Sequence, residues 1–224
     1  MRYFLAIPLP EDVKQQLHSI SRSLSCFKGL KMVSPDNMHL TLLFLGNNEA
    51  SEKIEDMKKL NFSPFFLKTS KLSVYPEEGK IRLVWVELDK SVELMRLQKK
   101  LSVMFGMKKD FKPHITIARV KKLDKSDRSK LCEFVKSFNP LRMSFKVKNF
   151  KLYSSELTVL GPVHRVIEYF EFVSGSKKWI GILEICFCLL SWFVLFGVFW
   201  FCLCFFCLIL RFFLSCWFLL FFLL

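Results

Sequence analysis

Apolar residues recur along the first 173 positions with two periods, one typical of strands and one typical of helices. Alternating or continuous apolar runs predict strands at residues 3–7, 39–45, 65–74, 81–88, 114–120, 142–153 and 164–172. Helical spacing predicts longer helices that begin near Pro10 and Ser91 and shorter helices around 54–60 and 131–138. Strands and helices therefore alternate, which predicts an α+β domain spanning residues 1–173.

The order of the predicted elements is similar in the two halves of this domain, 1–88 and 89–173. Each half has a helix, a histidine-bearing strand, a short helix and further strands. We interpret the repeat as an internal duplication. It predicts two similar lobes related by a pseudo-twofold axis, with antiparallel sheets around a central cleft that the equivalent strands share.

Each of the two equivalent strands begins with a His-x-Thr motif, His39-Leu40-Thr41 and His114-Ile115-Thr116. Residues two apart on a strand share a face, so each histidine and its threonine are expected to point the same way. The apolar residues between them are expected to point into a core. A single motif of this kind is typical of a half-polar edge strand, and its repetition in both halves favours a function.

Two facing imidazoles suit the hydrolysis of a cyclic phosphodiester. One takes a proton from water and the other gives a proton to the leaving oxygen, and a pKa of about 6.5 suits both roles. Threonine hydroxyls can donate to the non-bridging phosphate oxygens. This chemistry needs neither a metal nor another cofactor, and we expect none. The other histidines, His18 and His164, are expected to lie outside the chemistry.

The chain has a formal net charge of +14, and the charge resides before residue 179, because Glu184 and Arg211 cancel in the rest of the chain. A basic domain attracts polyanions, and RNA, DNA and anionic lipid are candidates. The alternative is a basic surface that is only solvated. Only Cys26 and Cys132 precede residue 174, which excludes a disulfide framework and suits a reducing, cytoplasmic compartment.

Five segments of the domain carry a resemblance to a known family. They are MRYFLAI at 1–7, HLTLLFLG at 39–46, FKPHITIAR at 111–119, LYSSEL at 152–157 and Gly161-Pro162. With these segments the chain resembles the two-histidine (2H) phosphoesterases, most closely the RNA 2′,3′-cyclic phosphodiesterases once called 2′-5′ RNA ligases.

The resemblance implies a bilobal α+β fold with a basic cleft that opens 2′,3′-cyclic phosphate ends of RNA to 2′-phosphates. It implies that His39 is the proton donor and His114 the proton acceptor. Thr41 and Thr116 would hold the phosphate, and Arg119 would supply positive charge near it. We expect RNA as the partner and a monomeric protein.

Two positions depart from the pattern of the family that the chain resembles. Leu43 stands where Lys or Arg is common and is predicted on the face of His39 and Thr41, so a missing cation would weaken the grip on RNA. His164 stands where Tyr is common. Alternative functions are a phosphodiesterase for 2′-5′-linked or small cyclic nucleotides, and a non-catalytic, basic RNA-binding module.

An apolar tail at 179–224 follows a linker at 174–178, and Glu184 and Arg211 are its only charged residues. The tail is long enough to be a transmembrane segment. Lys177-Lys178 would then place the enzyme domain on the cytoplasmic side. The alternative is a spurious extension past the true end of the protein, because a tail of this kind is not part of the family pattern.

Overall fold

The computed structural model describes residues 1–47, 50–77, 80–107, 110–138, 141–159 and 161–173. These residues belong to one structural unit, Met1–Ser174. The linker at 174–178 and the apolar tail at 179–224, with the predictions made for them, lie outside the described residues. Within the described ranges, no helix has the length and apolar character needed to cross a bilayer.

Nine strands and four α-helices form in the described residues. The strands are β1 (Arg2–Pro8), β2 (Leu30–Met32), β3 (His39–Gly46), β4 (Phe65–Tyr75), β5 (Leu83–Leu88), β6 (His114–Val120), β7 (Ser144–Val147), β8 (Asn149–Thr158) and β9 (Gly161–Glu171). The helices are α1 (Glu11–Ser23), α2 (Ile54–Lys58), α3 (Val92–Met104) and α4 (Lys125–Ser137).

The helices begin where side chains satisfy or complement free backbone N–H groups. In α3 the Ser91 hydroxyl accepts a hydrogen bond from the Leu94 amide at 3.2 Å. In α4 the Asp124 carboxylate accepts from the Asp127 amide at 2.7 Å. The predicted helix at 131–138 therefore begins earlier than expected, because Asp124 caps it about two turns before its first apolar residue, Leu131.

Hydrogen bonds join the strands in the order β7-β4-β5-β6-β3-β1-β8-β9, and β2 pairs with β6. The paired strands are antiparallel. Buried residues of the sheet and of helices α1 and α3 form one hydrophobic cluster, which includes Leu40, Ile115, Leu17 and Leu94. The predicted α+β fold class with antiparallel strands is confirmed.

Strands from the two predicted lobes are interleaved in this sheet. Strand β6, from the second half of the sequence, lies beside β5, and β8 lies beside β1. The histidine-bearing strands β3 and β6 are the central pair of the path. The lobe boundaries at 1–88 and 89–173 stay a prediction.

The strands differ from expectation in two main ways. The strand predicted at 142–153 is divided into β7 and β8, because the chain changes partner from β4 to β1 at Lys148. The Lys148 carbonyl instead accepts a hydrogen bond from the Phe172 amide at 2.8 Å. Strand β2, of three residues, was not predicted.

Both histidine-bearing strands contain a bulge at their fourth residue. The pairing of β3 with β1 skips Leu42, and the pairing of β6 with β5 skips Ile117. A bulge adds one residue to one strand of a pair, so the alternation of side chains shifts beyond it. The Ile117 carbonyl remains satisfied, because the Val33 amide donates to it at 2.9 Å.

The bulges give the two strands the same pattern of burial. Leu43 is 4% exposed and Phe44 58% exposed, whereas a regular strand would reverse them. In β6 the equivalent residues are Ala118, which is buried, and Arg119, which is exposed. The prediction that Leu43 shares the face of His39 is therefore wrong, and Phe44 is the structural counterpart of Arg119.

We expect Leu43→Lys to destabilise the fold by about 3 kcal/mol or more, because it buries an unpaired charge. The matched variant Phe44→Arg adds the same charge at an exposed position and is expected to change stability by less than about 1 kcal/mol. Denaturant unfolding of both variants measures the difference. Equal effects of the two substitutions would contradict the bulge.

Candidate active site

The pairing of β3 with β6 brings the two His-x-Thr motifs together. Leu40 pairs with Ile115 in an antiparallel register, and both side chains are fully buried. This register places His39 beside Thr116 and Thr41 beside His114. Strand alternation puts these four half-buried side chains on the opposite face from the core, as predicted.

Each histidine makes the same local hydrogen bond through its Nδ1 atom. His39 Nδ1 lies 2.8 Å from the Asn37 carbonyl oxygen, and His114 Nδ1 lies 2.7 Å from the Lys112 carbonyl oxygen. A carbonyl only accepts, so each Nδ1 carries a proton and donates it. In the neutral ring, Nε2 is consequently the basic atom, and it is the atom that can exchange a proton with a ligand.

The pKa of His39 is lowered from 6.5 to about 4, and burial is the largest cause. The nearby His164, Arg119 and His114 contribute to this lowering, while the hydrogen bond to the Asn37 backbone carbonyl opposes it. Because desolvation penalises the charged ring, His39 is neutral at pH 7 in the ligand-free protein.

Burial also lowers the pKa of His114. The hydrogen bond to the Lys112 carbonyl opposes this effect, Arg119 adds to it and Glu87 opposes it. Glu87 pairs with His114 across β5 and β6, and its carboxylate lies 3.7 Å from the Lys71 ammonium group. Sequence reasoning missed this carboxylate, because only the register of β5 places it beside the histidine.

An aromatic stack supports each imidazole from the neighbouring strand. The His39 ring stacks on Phe4 at 4.9 Å between centroids, and Phe4 stacks on Tyr153 at 5.1 Å. The His114 ring lies 4.3 Å from Trp85. These stacks fix the ring planes, since the aromatic neighbours restrict rotation about the histidine side chains.

The second stack has the same order as the first, with an aromatic ring between the histidine and a tyrosine. Trp85 stacks on Tyr75 at 4.3 Å between centroids, so Tyr75 corresponds to Tyr153. Burial raises the pKa of Tyr153 to about 12, so its hydroxyl stays protonated at neutral pH. The sequence carries these aromatic residues at scattered positions, and no local spacing links them to the histidines.

Arg119 acts electrostatically on three histidines. Its positive charge lowers the pKa values of His39, His114 and His164. The β6 bulge is what turns this exposed guanidinium toward the histidine face. The predicted site residue Arg119 therefore lies with the two His-x-Thr motifs.

His164 lies at this site, although sequence analysis placed it outside the chemistry. Its ring meets His39 edge-on at 5.5 Å and Phe4 edge-on at 5.0 Å. Strand β9 is three strand spacings from β3, about 14 Å in a flat sheet. The sheet must therefore curl to bring these rings together, and local sequence patterns carry no signal of that curvature.

A hydrogen bond joins the loop before His39 to the start of β9. The Asn37 side-chain amide donates to the Pro162 carbonyl at 3.0 Å, while the backbone carbonyl of Asn37 accepts the hydrogen bond from His39 Nδ1. Asn37 therefore couples the orientation of His39 to the position of β9, which carries His164.

No group of three or more His, Cys, Asp or Glu side chains is arranged to hold a metal ion among the residues that the structure describes. The histidines, threonines and Arg119 instead offer hydrogen-bond donors and positive charge, a combination that suits an anionic phosphate.

Comparison with known proteins gives consistent results. The family model described as LigT like Phosphoesterase matches residues 7–85 and again residues 86–164. A Thermotoga maritima relative named RNA 2′,3′-cyclic phosphodiesterase is 34% identical over 80% of this chain and 100% of its own length. A Methanocaldococcus jannaschii relative of the same name is 33% identical over 75% of this chain and 99% of its own length.

Solved structures match the fold. A crystal structure from Thermus thermophilus superposes with a TM-score of 0.64 and 28% identity, and the match covers 78% of this chain and 100% of that one. Escherichia coli LigT superposes with a TM-score of 0.62 and 21% identity, covering 77% and 98%. With the family model matched twice and relatives aligned over nearly their full length, the chain belongs to the LigT-like phosphoesterases, enzymes that hydrolyse phosphoester bonds.

Proposed function

We propose that the protein hydrolyses 2′,3′-cyclic phosphate ends of RNA to 2′-phosphates by acid/base catalysis with two histidines and no metal. The observation that carries the proposal is the equivalent placement of His39 and His114 on adjacent strands, each with Nδ1 occupied and Nε2 available. The relatives named RNA 2′,3′-cyclic phosphodiesterase support this choice of substrate.

In the proposed reaction, a water oxygen attacks phosphorus while His114 Nε2 takes a proton from that water. The bond between phosphorus and the ribose 3′ oxygen breaks, and His39 Nε2 gives its proton to that oxygen. The product is a 2′-phosphate with a free 3′ hydroxyl. The two imidazoles end with exchanged protonation states and return to the starting state by proton exchange with solvent.

The donor role requires a protonated His39, although burial lowers the pKa of this residue to about 4. A bound phosphodiester brings a negative charge to the imidazole, and a nearby opposite charge favours the charged form. Substrate binding therefore raises the pKa of His39 and favours the protonated ring that the donor role requires.

Thr41, Thr116 and Arg119 complete the proposed site. The hydroxyls of the threonines donate to non-bridging phosphate oxygens, where negative charge grows in the transition state. The Arg119 guanidinium balances that charge. The cytoplasmic location and monomeric state expected from the sequence stay predictions.

We expect His39→Gln and His114→Gln each to lower kcat by roughly 10²- to 10⁴-fold, because glutamine keeps a polar side chain but cannot transfer the proton. The measurement is chromatographic separation of the products from a 2′,3′-cyclic mononucleotide. His18→Gln, on α1 and outside the site, is the matched control and should retain full activity. Loss in the control, or substantial activity in either site variant, would contradict the assignment.

The pH dependence of kcat/KM follows from the two lowered pKa values. His39 must be protonated and His114 neutral, so the productive form is most populated between the two values, which lie at about 4 and below 6.5. We therefore expect a bell-shaped profile that falls as the pH rises above about 6.5. A profile that still rises between pH 7 and 9 would rule out this pair of roles.

Replacing His164 tests its effect on the proton donor. His164→Gln removes a neighbouring charge that lowers the pKa of His39, so that pKa should rise and the acidic limb of the profile should move to higher pH. NMR titration of the imidazole resonances measures the pKa directly. An unchanged or lower pKa of His39 would contradict the proposed effect of His164, and His18→Gln again serves as the control.

A further inference from the structure

A cavity rich in positive charge lies beyond the end of β6. It has a volume of about 330 Å³, and its lining includes Lys80, Arg82, Lys121, Lys122 and Arg128. No aspartate or glutamate lines it among the residues described. The ion pairs found between described residues involve none of these five cations. Like charges gathered without a counter-charge repel one another, so this cavity favours an anionic ligand.

The backbone around the cavity is held by hydrogen bonds from three segments. The Val120 amide donates to the Arg82 carbonyl at 2.8 Å, and the Lys121 amide donates to the Gly29 carbonyl at 2.8 Å. A side chain at Gly29 would collide with the Lys122 carbonyl oxygen, so the close approach requires glycine there. The backbone that carries these cations is therefore held in place by hydrogen bonds.

Strand β6 connects the proposed active site, at its start, to the cavity, at its end. Strand β6 carries His114 and Thr116 at its start, and Lys121 directly follows its last residue. At about 3.3 Å per residue, the backbone from Thr116 to Lys121 spans about 16 Å. Arg119 lies between them and pairs with Lys31 on β2, so cationic residues continue from the site toward the cavity.

We propose that this cavity binds the phosphodiester backbone of the RNA several nucleotides upstream of the cyclic end. The inference rests on the proposed function, because the cyclic phosphate at the histidines fixes where the RNA chain begins. A mononucleotide is too short to span about 16 Å, whereas an extended single strand can place further phosphates there. Five cations also exceed what one phosphate group neutralises, and they suit a polyanion.

The cavity makes the enzyme selective for chain length through binding. A substrate that reaches the cavity gains charge contacts remote from the reacting phosphorus, and these contacts are present before and during the reaction. Such uniform binding lowers KM and leaves kcat unchanged. A cyclic mononucleotide gains none of these contacts.

The test compares two triple variants of equal charge on two substrates. The first is Arg82→Gln, Lys121→Gln and Lys122→Gln, all exposed residues of the cavity. The control carries Lys90→Gln, Arg96→Gln and Lys99→Gln, exposed residues in or beside α3. The substrates are a 2′,3′-cyclic mononucleotide and an oligoribonucleotide of about eight nucleotides with a cyclic end, a length within single-strand site sizes.

We expect the cavity variant to raise KM for the oligonucleotide roughly tenfold, with kcat unchanged, since three exposed charge contacts are lost. The slope of log(1/KM) against log[salt] should become shallower by about 0.7 for each phosphate contact removed. Turnover of the mononucleotide should not change. The control variant should leave the oligonucleotide KM within about threefold of the original value, because only long-range charge is altered.

An equal loss on both substrates, an unchanged KM for the oligonucleotide, or the same loss in the control would each overturn the inference. If the unmodified protein turns over neither substrate, the proposed function fails, and fluorescence anisotropy with a labelled oligonucleotide decides the cavity separately. Weaker binding of the oligonucleotide by the cavity variant, with unchanged binding by the control variant, would support the cavity as an RNA site. Equal binding by both variants would refute it.

Discussion

The site depends on one antiparallel pairing, between β3 and β6 at the centre of the sheet. The Leu40–Ile115 pair buries one face of both strands in the hydrophobic cluster. Because side chains alternate along a strand, burial of these residues places His39 and His114 on the opposite face. A shift of register by one residue between β3 and β6 would put the two histidines on opposite faces of the sheet, so packing of the apolar face also fixes the position of the proton-transfer groups.

Around this pairing, each histidine has the same support, which restricts rotation of its imidazole ring. A backbone carbonyl holds each Nδ1, and an aromatic ring, Phe4 or Trp85, lies against each imidazole. The arrangement is not symmetric in charge. Arg119 on β6 occupies the position equivalent to Phe44 on β3, and the ring of His164 lies against His39. This asymmetry gives the two imidazoles different electrostatic surroundings, which distinct acid and base roles require.

The sequence predicted the side-chain positions that follow from the regular alternation of a strand. It did not predict the positions that depend on a bulge or on the curvature of the sheet. The shared face of His39 and Thr41 follows from a period of two, and the structure has it. The same reasoning failed for Leu43, because a bulge between Thr41 and Leu43 changes the period. His164 was missed for another reason: its contact with His39 arises only when the sheet curls across three strand spacings. The catalytic roles of these residues stay predictions.

The most direct measurement is a crystal structure of the protein with a nucleoside 2′-phosphate, the product of the proposed reaction. We expect one phosphate group with His39 Nε2 and His114 Nε2 each about 3 Å from its oxygens. We also expect the threonine hydroxyls to donate to the non-bridging oxygens. A phosphate bound away from β3 and β6, or held by only one of the two imidazoles, would contradict two-histidine catalysis at this site.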